Sequence, residues 1–504
     1  MITQDNIKYV IVQAGGKGTR MGHYTDNKPK CLVPVNDIPI LVNNMNIYKN
    51  KKIIIIGDYL IDVLDSYLRC FCSDFDYKII RTNESGTSAG LKKAVSYIPD
   101  REPFIITWSD LFFEKEQNFI LDSELLVGLS NTFECRWKFD EGFKNISSNK
   151  CGVSGFFVFE DKVKFKNLTT EKSFVRGFLC DNYTAENINT FYNHDCFEVG
   201  EKKRYEEILS KKVNHRYFNK VEIDGNVVRK KCIDSKYDNL HQNEKDWYEF
   251  VNGKFDRIPK IYSTDPLVIE KIIGKHLWEV SDNKKQIIEN YCDALDQLHS
   301  IDKKPSEKDG MSVYFSKAYK RVYEVMKIIP HSYKPYIMIN GKYCRNPIYD
   351  LSYFEDIISS MAIVDEYNVI HGDCSFSNTL VDNDDQIWFI DPRGSFGATK
   401  IYGDRRYDWA KLYYSVSGNY DSINSKKFKV KTFGEHISLD IQSNGFEEYS
   451  DLILERSGMS EKEMLIINAT IWLSLTGYVK EDIDAAMYAF YKGCEVWTQA
   501  TTLI

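Results

Sequence analysis

Apolar positions along this chain fall into short, dense runs in the first half and into longer periodic stretches toward the end. Tyr9 to Gln13 is an apolar run of strand length. Lys51 and Lys52 then open Ile53-Ile54-Ile55-Ile56-Gly57-Asp58, apolar at consecutive positions as a buried parallel strand requires. Tyr77 to Arg81 predicts another strand after a helix-like stretch, and Phe104 to Trp108, running into Ser109-Asp110, predicts a strand that ends in a carboxylate. Between them, Glu84 to Leu91 opens a helix through Val95. Gly152 to Phe159 alternates and predicts a further strand. Alternating strands and helices imply a doubly wound, mainly parallel α/β sheet with its site at the strand C-termini.

The pattern restarts near Val213. Arg216 to Ile223 and Asn226 to Cys232 predict a hairpin turning at Asp224-Gly225, followed by a helix-like segment that carries Glu244. Leu267 to Gly274 predicts a strand and a linking segment. The longest uncharged run, Met464 to Val479, is short for a membrane span and contains Asn468, Thr470, Ser474 and Thr476. Ser460 and Glu463 stand before it as a capping box, so it predicts a buried helix.

Two stretches carry chemistry. The first strand runs into Ala14-Gly15-Gly16-Lys17-Gly18-Thr19-Arg20-Met21, where glycines let backbone N–H groups approach phosphate and Lys17 and Arg20 add charge. The loop has neither the spacing of a Walker A motif nor, with Met21 at the last position, G-x-G-x-x-G. It is followed by Pro29-Lys30, Leu32, Pro34-Val35 and Ile38-Pro39-Ile40-Leu41. Together these segments resemble the sugar-phosphate and choline-phosphate nucleotidyltransferases. That resemblance implies a Rossmann-like nucleotidyltransferase domain in which Ala14, Gly15, Gly16, Lys17, Gly18 and Thr19, with Gly86 and Thr87, bind the nucleotide. It also implies that Arg20 and Lys30 are catalytic and that Asp110 and Glu198 hold Mg²⁺. Lys28 and Lys30, taken singly, read as solvated surface.

The second stretch is His371 to Gly394, HGDCSFSNTLVDNDDQIWFIDPRG, which reads as a loop, a strand and a metal-binding turn. Phosphoryl transfer needs a carboxylate to orient the attacking hydroxyl and oxygen ligands to hold Mg²⁺ against the phosphates, and Asp373, Asn378 and Asp391 supply both. The stretch resembles the catalytic and metal loops of the aminoglycoside phosphotransferase and choline kinase family. That resemblance implies a two-lobed, protein-kinase-like α+β domain. In it Lys230, in preference to Lys231, pairs with Glu244 at the ATP phosphates, and the segment around Glu270 is the hinge that meets adenine. His299 reads as structural, and Asp408 as a support of the metal loop. Trp409, Tyr413, Tyr414, Trp472 and Trp497 offer rings for an aromatic cage around a quaternary amine.

Composition narrows the classes. The chain has 504 residues, 43% hydrophobic and 28% charged, which suits two or three globular domains. Its 66 Lys and Arg against 73 Asp and Glu give a net charge of −7, with no general basic surface for nucleic acid. The twelve cysteines are scattered and read as reduced, mostly buried thiols. The N-terminal stretch shows no secretory signal, so a cytoplasmic protein without membrane insertion is expected. We expect a nucleotidyltransferase domain over residues 1–211, a kinase-like small lobe over 212–274 and a mainly helical large lobe over 275–504. The partners expected are ATP, a second NTP with CTP favoured, and a small alcohol or sugar and its phosphate. The product would be an NDP-activated precursor for surface polysaccharide. An anomeric sugar kinase joined to a uridylyl- or guanylyltransferase, and a non-catalytic scaffold, stand as the alternatives.

Overall fold

The consecutive isoleucines of the first half form the centre of a sheet that is covered on both faces. In the computed structural model, which describes residues 2–82, 86, 88–169, 173–210 and 219–503, the chain divides into two compact units, Met1–Lys212 and Val213–Ile504. Thr87, Glu84 and the start of the expected hairpin at Arg216 lie outside the described residues.

In the first unit, strands β1 (Tyr9–Gln13), β2 (Lys52–Gly57), β3 (Tyr77–Arg81) and β4 (Phe104–Trp108) lie in the spatial order 3-2-1-4, every neighbouring pair parallel. Helix Ile61–Phe71 links β2 to β3, and the short helix Leu91–Val95 lies between β3 and β4. The chain therefore leaves β1 toward one side of the sheet and returns to the other through β4. The crevice at the C-terminal ends of β1 and β4, where Gln13 and Trp108 are register partners, is the point at which the winding reverses.

The sheet is not parallel throughout. Strand β5 (Gly152–Phe159) joins β4 antiparallel, with Phe156 opposite Thr107 and Phe159 opposite Phe104, so the sheet is mixed. All of β5 is buried, not every second position, because both of its faces are covered. The aromatic cluster of Phe104, Phe159, Phe165 and Phe174 fills one side. A short antiparallel pair, β6 (Leu111–Phe113) and β7 (Cys196–Glu198), then sets Glu198 opposite Leu111, next to Asp110.

The second unit begins with a four-stranded antiparallel sheet in the order β8 (Asn219–Asp224), β9 (Val227–Cys232), β11 (Leu267–Glu270), β10 (Ile261–Thr264). Asp224 pairs with Val227, so the two-residue turn is Gly225-Asn226 and not Asp224-Gly225 as the sequence suggested. Helix α1 (Asp238–Val251) follows β9 and buries Glu244, Trp247, Tyr248 and Val251. Later, β12 (Thr379–Val381) and β13 (Ile387–Phe389) form a hairpin, where the sequence suggested a single strand between a loop and a turn.

Helices α2 (Lys284–His299), α3 (Lys317–Val325), α4 (Arg405–Val416), α5 (Glu461–Tyr478) and α6 (Ile483–Thr502) build most of the remainder. The Met464 run lies inside α5, buried from Met464 to Gly477, and Ser460 and Glu463 form the expected capping box. A four-stranded sheet of Lys342–Arg345, Tyr336–Ile339, His436–Ile441 and Phe428–Phe433 stands beside these helices and was not anticipated. Among the described residues no helix is long and apolar enough to cross a membrane.

Candidate functional site

In the first unit the glycine loop leaves β1 held by main-chain bonds on both sides: Ala14 N–H donates to Ile56 O at 2.8 Å and Ser109 N–H to Gln13 O at 3.2 Å. Gly18 adopts φ +65°, and a Cβ there would lie 2.9 Å from Thr25 Cγ2 and 3.1 Å from Lys30 Cβ. Only glycine lets the loop fold back this closely. Thr25 Oγ1–H faces the Gly18 and Gly22 carbonyls at 3.1 and 3.2 Å and braces the turn. Gly16, Lys17 and Thr19 are exposed, and a Cβ at Gly16 would meet nothing within 4 Å. Gly86 also has room for a Cβ, with φ +96°.

Below the loop lies a carboxylate pair. Lys30 Nζ donates to Asp110 Oδ2 at 2.6 Å, while Asp110 Oδ1 is buried without a hydrogen-bond partner among the described residues. Val199 N–H donates to Asp110 O at 2.8 Å, which ties β7 to the end of β4 and brings Glu198 against Asp110. A Cβ on Gly200 would collide with Glu198 Oε1 and come within 3.2 Å of Asp110 Oδ2, so the pair is approached over a bare backbone. Burial, then the neighbouring Asp110 charge, push the Glu198 carboxyl above its ordinary pKa, against the opposing pull of Arg204, Lys30 and Arg20. Arg204 is paired with Glu198, and Arg20 with Glu201 on the rim, its Nη2 3.9 Å from Glu198. Lys28 and Lys30 are not solvated: Lys28 is 2% exposed, and Lys30 is committed to Asp110.

An orphaned buried carboxylate oxygen beside a second carboxylate fits a hard divalent cation such as Mg²⁺, which takes one or two carboxylates and fills its other positions with water and phosphate oxygens. Among the described residues no three His, Cys, Asp or Glu side chains converge as a metal cluster.

In the second unit alternation along β9 buries Lys230 and exposes Lys231. Lys230 Nζ lies 2.7 Å from Glu244 Oε1 and 2.8 Å from Asp391 Oδ1. Burial alone would lower its pKa, but the Asp391 and Glu244 carboxylates outweigh it and hold it above the ordinary lysine value. Asp391 follows β13 with φ +56°, turning its carboxylate back toward Lys230.

His371 organises the loop before β12. Its Nε2–H donates to Ile390 O at 3.0 Å and its Nδ1 accepts from Asp373 N–H at 3.2 Å, the pattern of a neutral ring. Burial pulls its pKa below the usual histidine value, in agreement. Asp408, fully buried in the first turn of α4, accepts from His371 N–H and Gly372 N–H, both at 2.8 Å, and faces His299 Nε2 at 3.2 Å. His299 and Asp408 thus support the turn that carries Asp373. Asn378 Nδ2 donates to Asp373 O at 2.7 Å, which leaves its amide oxygen as an acceptor, and Ile390 N–H donates to Asn378 O at 3.0 Å. Asn378 and Asp391 therefore stand at the same end of the hairpin, and an amide oxygen and a carboxylate are donors suited to Mg²⁺.

The Glu270 N–H donates to Lys260 O and the Lys271 N–H to Asn226 O, each at 2.8 Å, so these two amides of the linking segment are engaged in main-chain bonds. One expectation is corrected. The proposed aromatic cage does not converge. Trp409 and Trp497 are closed core residues, Trp497 packed edge-on against Phe354 at 5.0 Å. Tyr414 packs against Trp472 at 4.4 Å. The rings that do gather, Tyr407, Tyr414 and Tyr420, stand 6.0, 5.3 and 5.9 Å from the Lys411 ammonium, a cation of the protein itself. Lys411 was overlooked in the sequence; it lies one helical turn after Asp408 and pairs with Asp373 Oδ1 at 2.9 Å.

Comparison with known proteins bears on the first unit. The chain is 28% identical over 123 residues to the bifunctional protein GlmU of Methanococcus maripaludis, covering 24% of this chain and 29% of that protein, so it spans under a third of that relative's length. Two solved structures align with a similar portion. HddC from Yersinia pseudotuberculosis is 20% identical with a TM-score of 0.35, over 41% of this chain and 99% of its own. LicC, the CTP:phosphocholine cytidylyltransferase from Streptococcus pneumoniae, is 17% identical with a TM-score of 0.32, over 40% and 98%. Residues 10–118, from β1 through the segment after Asp110, match the MobA-like NTP transferase domain, and the chain therefore carries such a domain at its N-terminal end.

Proposed function

We propose that the chain is a bifunctional enzyme: the second unit phosphorylates a small alcohol or sugar with ATP, and the first joins that phosphate to a nucleoside monophosphate from an NTP, CTP favoured, releasing pyrophosphate. The product is an NDP-activated precursor of the kind used for surface polysaccharide. The observation that carries this reading is that each unit holds its own lysine–carboxylate constellation, Lys30 with Asp110 and Glu198 in one, Lys230 with Glu244 and Asp391 in the other. Residues 1–211 act as the nucleotidyltransferase, 212–274 as a kinase-like small lobe and 275–504 as a large lobe.

In the second unit Asp373 orients the acceptor hydroxyl and takes its proton, while Lys230 holds the ATP phosphates. Asn378 and Asp391 would hold Mg²⁺, as would Asp110 and Glu198 in the first unit. The ion supplies charge neutralisation on the phosphates. In the first unit the glycine loop cradles the triphosphate, and Arg20 and Lys30 stabilise charge as the phosphate ester attacks and pyrophosphate departs.

Radiolabelled ATP and NTP supplied to the full chain, with a panel of acceptor alcohols and sugars and their phosphates, test both halves. Asp373→Asn should abolish acceptor phosphorylation and retain nucleotidyl transfer to a supplied phosphate ester. Asp110→Asn should do the converse, slowing pyrophosphate release by roughly a hundredfold, about 3 kcal/mol of lost electrostatic stabilisation. A near-normal kinase rate in Asp373→Asn, or unchanged pyrophosphate release in Asp110→Asn, overturns the corresponding half.

A further inference from the structure

The surroundings of Asp373 are strongly cationic. Lys411 is already paired with it at 2.9 Å. Lys317, the first residue of α3, brings its ammonium to 5.9 Å from the Tyr407 ring, the same ring that Lys411 approaches at 6.0 Å. One turn along α3, Arg321 is fixed in place: its Nη1–H donates to Ser474 O at 2.9 Å, and its guanidinium lies over Tyr478 at 5.3 Å. Arg393, two residues beyond Asp391, rests against the turn that carries Asp373, since a Cβ on Gly372 would lie 2.9 Å from Arg393 Cβ.

Lys411 is paired with Asp373, Lys317 lies within the field of its charge and Arg393 rests against its turn, while Arg321, with Glu324 nearby, is held on the Ser474 carbonyl. Among the described residues the side chains of Lys317 and Arg393 make no hydrogen bond or ion pair, although both are half-buried. Burial, followed by the charges of Arg393, Arg321 and Lys411, depresses the Lys317 pKa well below the ordinary lysine value, and Asp373 only partly opposes them. Arg321 is lowered as well, by burial and then by Arg393. Half-buried cations crowded against one another are destabilising until an anion joins them. The cluster would repel an ammonium group, and the tyrosines able to form a cage for one already surround Lys411.

Resting on the kinase reading of this unit, we propose that its acceptor is an anionic alcohol, whose carboxylate or phosphate group is held by Lys317 and Arg393 while its hydroxyl meets Asp373. Choline-like and amino-sugar acceptors are excluded by charge.

Two measurements on the full chain test this. Isothermal titration with inorganic phosphate, in the presence of Mg²⁺ and the analogue AMP-PNP, should show a binding component that Lys317→Met and Arg393→Met each weaken by about tenfold or more, the scale of one charge-assisted contact. Lys429→Met, on an exposed strand position, should leave it unchanged. Transfer from labelled ATP is then compared for four three-carbon probes: glycerate, glycerol 3-phosphate, glycerol and 3-amino-1,2-propanediol. Preference for either anion supports the proposal and identifies whether the group is carboxylate or phosphate. Equal or better use of the amine or of glycerol overturns it, as does phosphate binding that is absent or indifferent to both variants. An intact, Lys317-dependent anion site with no phosphoryl transfer to any acceptor overturns the kinase reading and leaves the anion site standing.

Discussion

Asp408→Asn is the substitution whose cost the geometry specifies most closely. The carboxylate is fully buried and accepts from three donors: His371 N–H at 2.8 Å on Oδ2, Gly372 N–H at 2.8 Å on Oδ1, and His299 Nε2 at 3.2 Å on Oδ2. An asparagine keeps one acceptor oxygen. Whichever way its amide faces, the NH₂ group meets a backbone N–H, so one charge-assisted bond is lost and one buried donor is orphaned. The two terms together come to roughly 3 kcal/mol.

Burial would raise the Asp408 pKa, but the hydrogen bond and charge of His299, together with His371, outweigh it and hold the carboxyl below its ordinary value. A depressed folded-state pKa contributes stability that is complete above the unfolded value, about 3.9, and is lost as pH falls through the folded one. The gap between wild type and Asp408→Asn should therefore stay constant from about pH 8 down to pH 5 and close only in stronger acid. Urea unfolding followed by tryptophan fluorescence suits the measurement, because six of the eight tryptophans lie in the second unit. A gap below about 0.5 kcal/mol, the size of an ordinary surface change, or one that drifts between pH 8 and 5, would refute the view that this carboxylate holds the turn.

Three further outcomes are expected. Gly18→Ala should lower the thermal midpoint of the first unit, since a left-handed alanine costs about 1–2 kcal/mol and its Cβ would crowd Thr25; an unchanged melting curve would mean that the loop can relax. Ser460→Ala should destabilise the second unit by about 1 kcal/mol through loss of the cap on α5, read from the same urea curves. Lys230→Met should weaken Mg·ATP binding by roughly tenfold to a hundredfold, the scale of a hydrogen bond to a charged group. Undiminished affinity by titration calorimetry would place the nucleotide elsewhere.

Local chemistry made much of the fold legible. The isoleucine run Ile53 to Ile56 announces a strand buried on both faces, and β2 is such a strand. Ser460 and Glu463 mark the start of α5 because a capping box is complete within four residues of sequence. What was not legible depends on partners distant in the chain. The antiparallel entry of β5 into an otherwise parallel core is decided by its pairing with β4, some fifty residues away, and no residue of Gly152 to Phe159 encodes its direction. The sheet that includes Phe428–Phe433 and His436–Ile441 divides differently: both strands alternate apolar and polar residues about the Gly434-Glu435 turn, so the hairpin itself is legible, and only its pairing back to Tyr336–Ile339 is not.

The neighbourhood of Asp373 shows the same division on a smaller scale. Aromatic residues make up 14% of the chain, and composition alone cannot say which rings face a cavity and which fill a core. The register of α4 decides the matter. Asp408 and Lys411 are three residues apart and share one helical face, so the buried carboxylate fixes the turn that carries Asp373 while the ammonium one turn later pairs with its side chain. The ring faces of Tyr407, Tyr414 and Tyr420 add to that pairing, and a second cation entering there would have to compete with Lys411 for both the carboxylate and the rings. The side chain of Asp373 is thereby already partnered from within the protein, by a lysine whose significance emerges only when α4 and the turn at Gly372 are brought together.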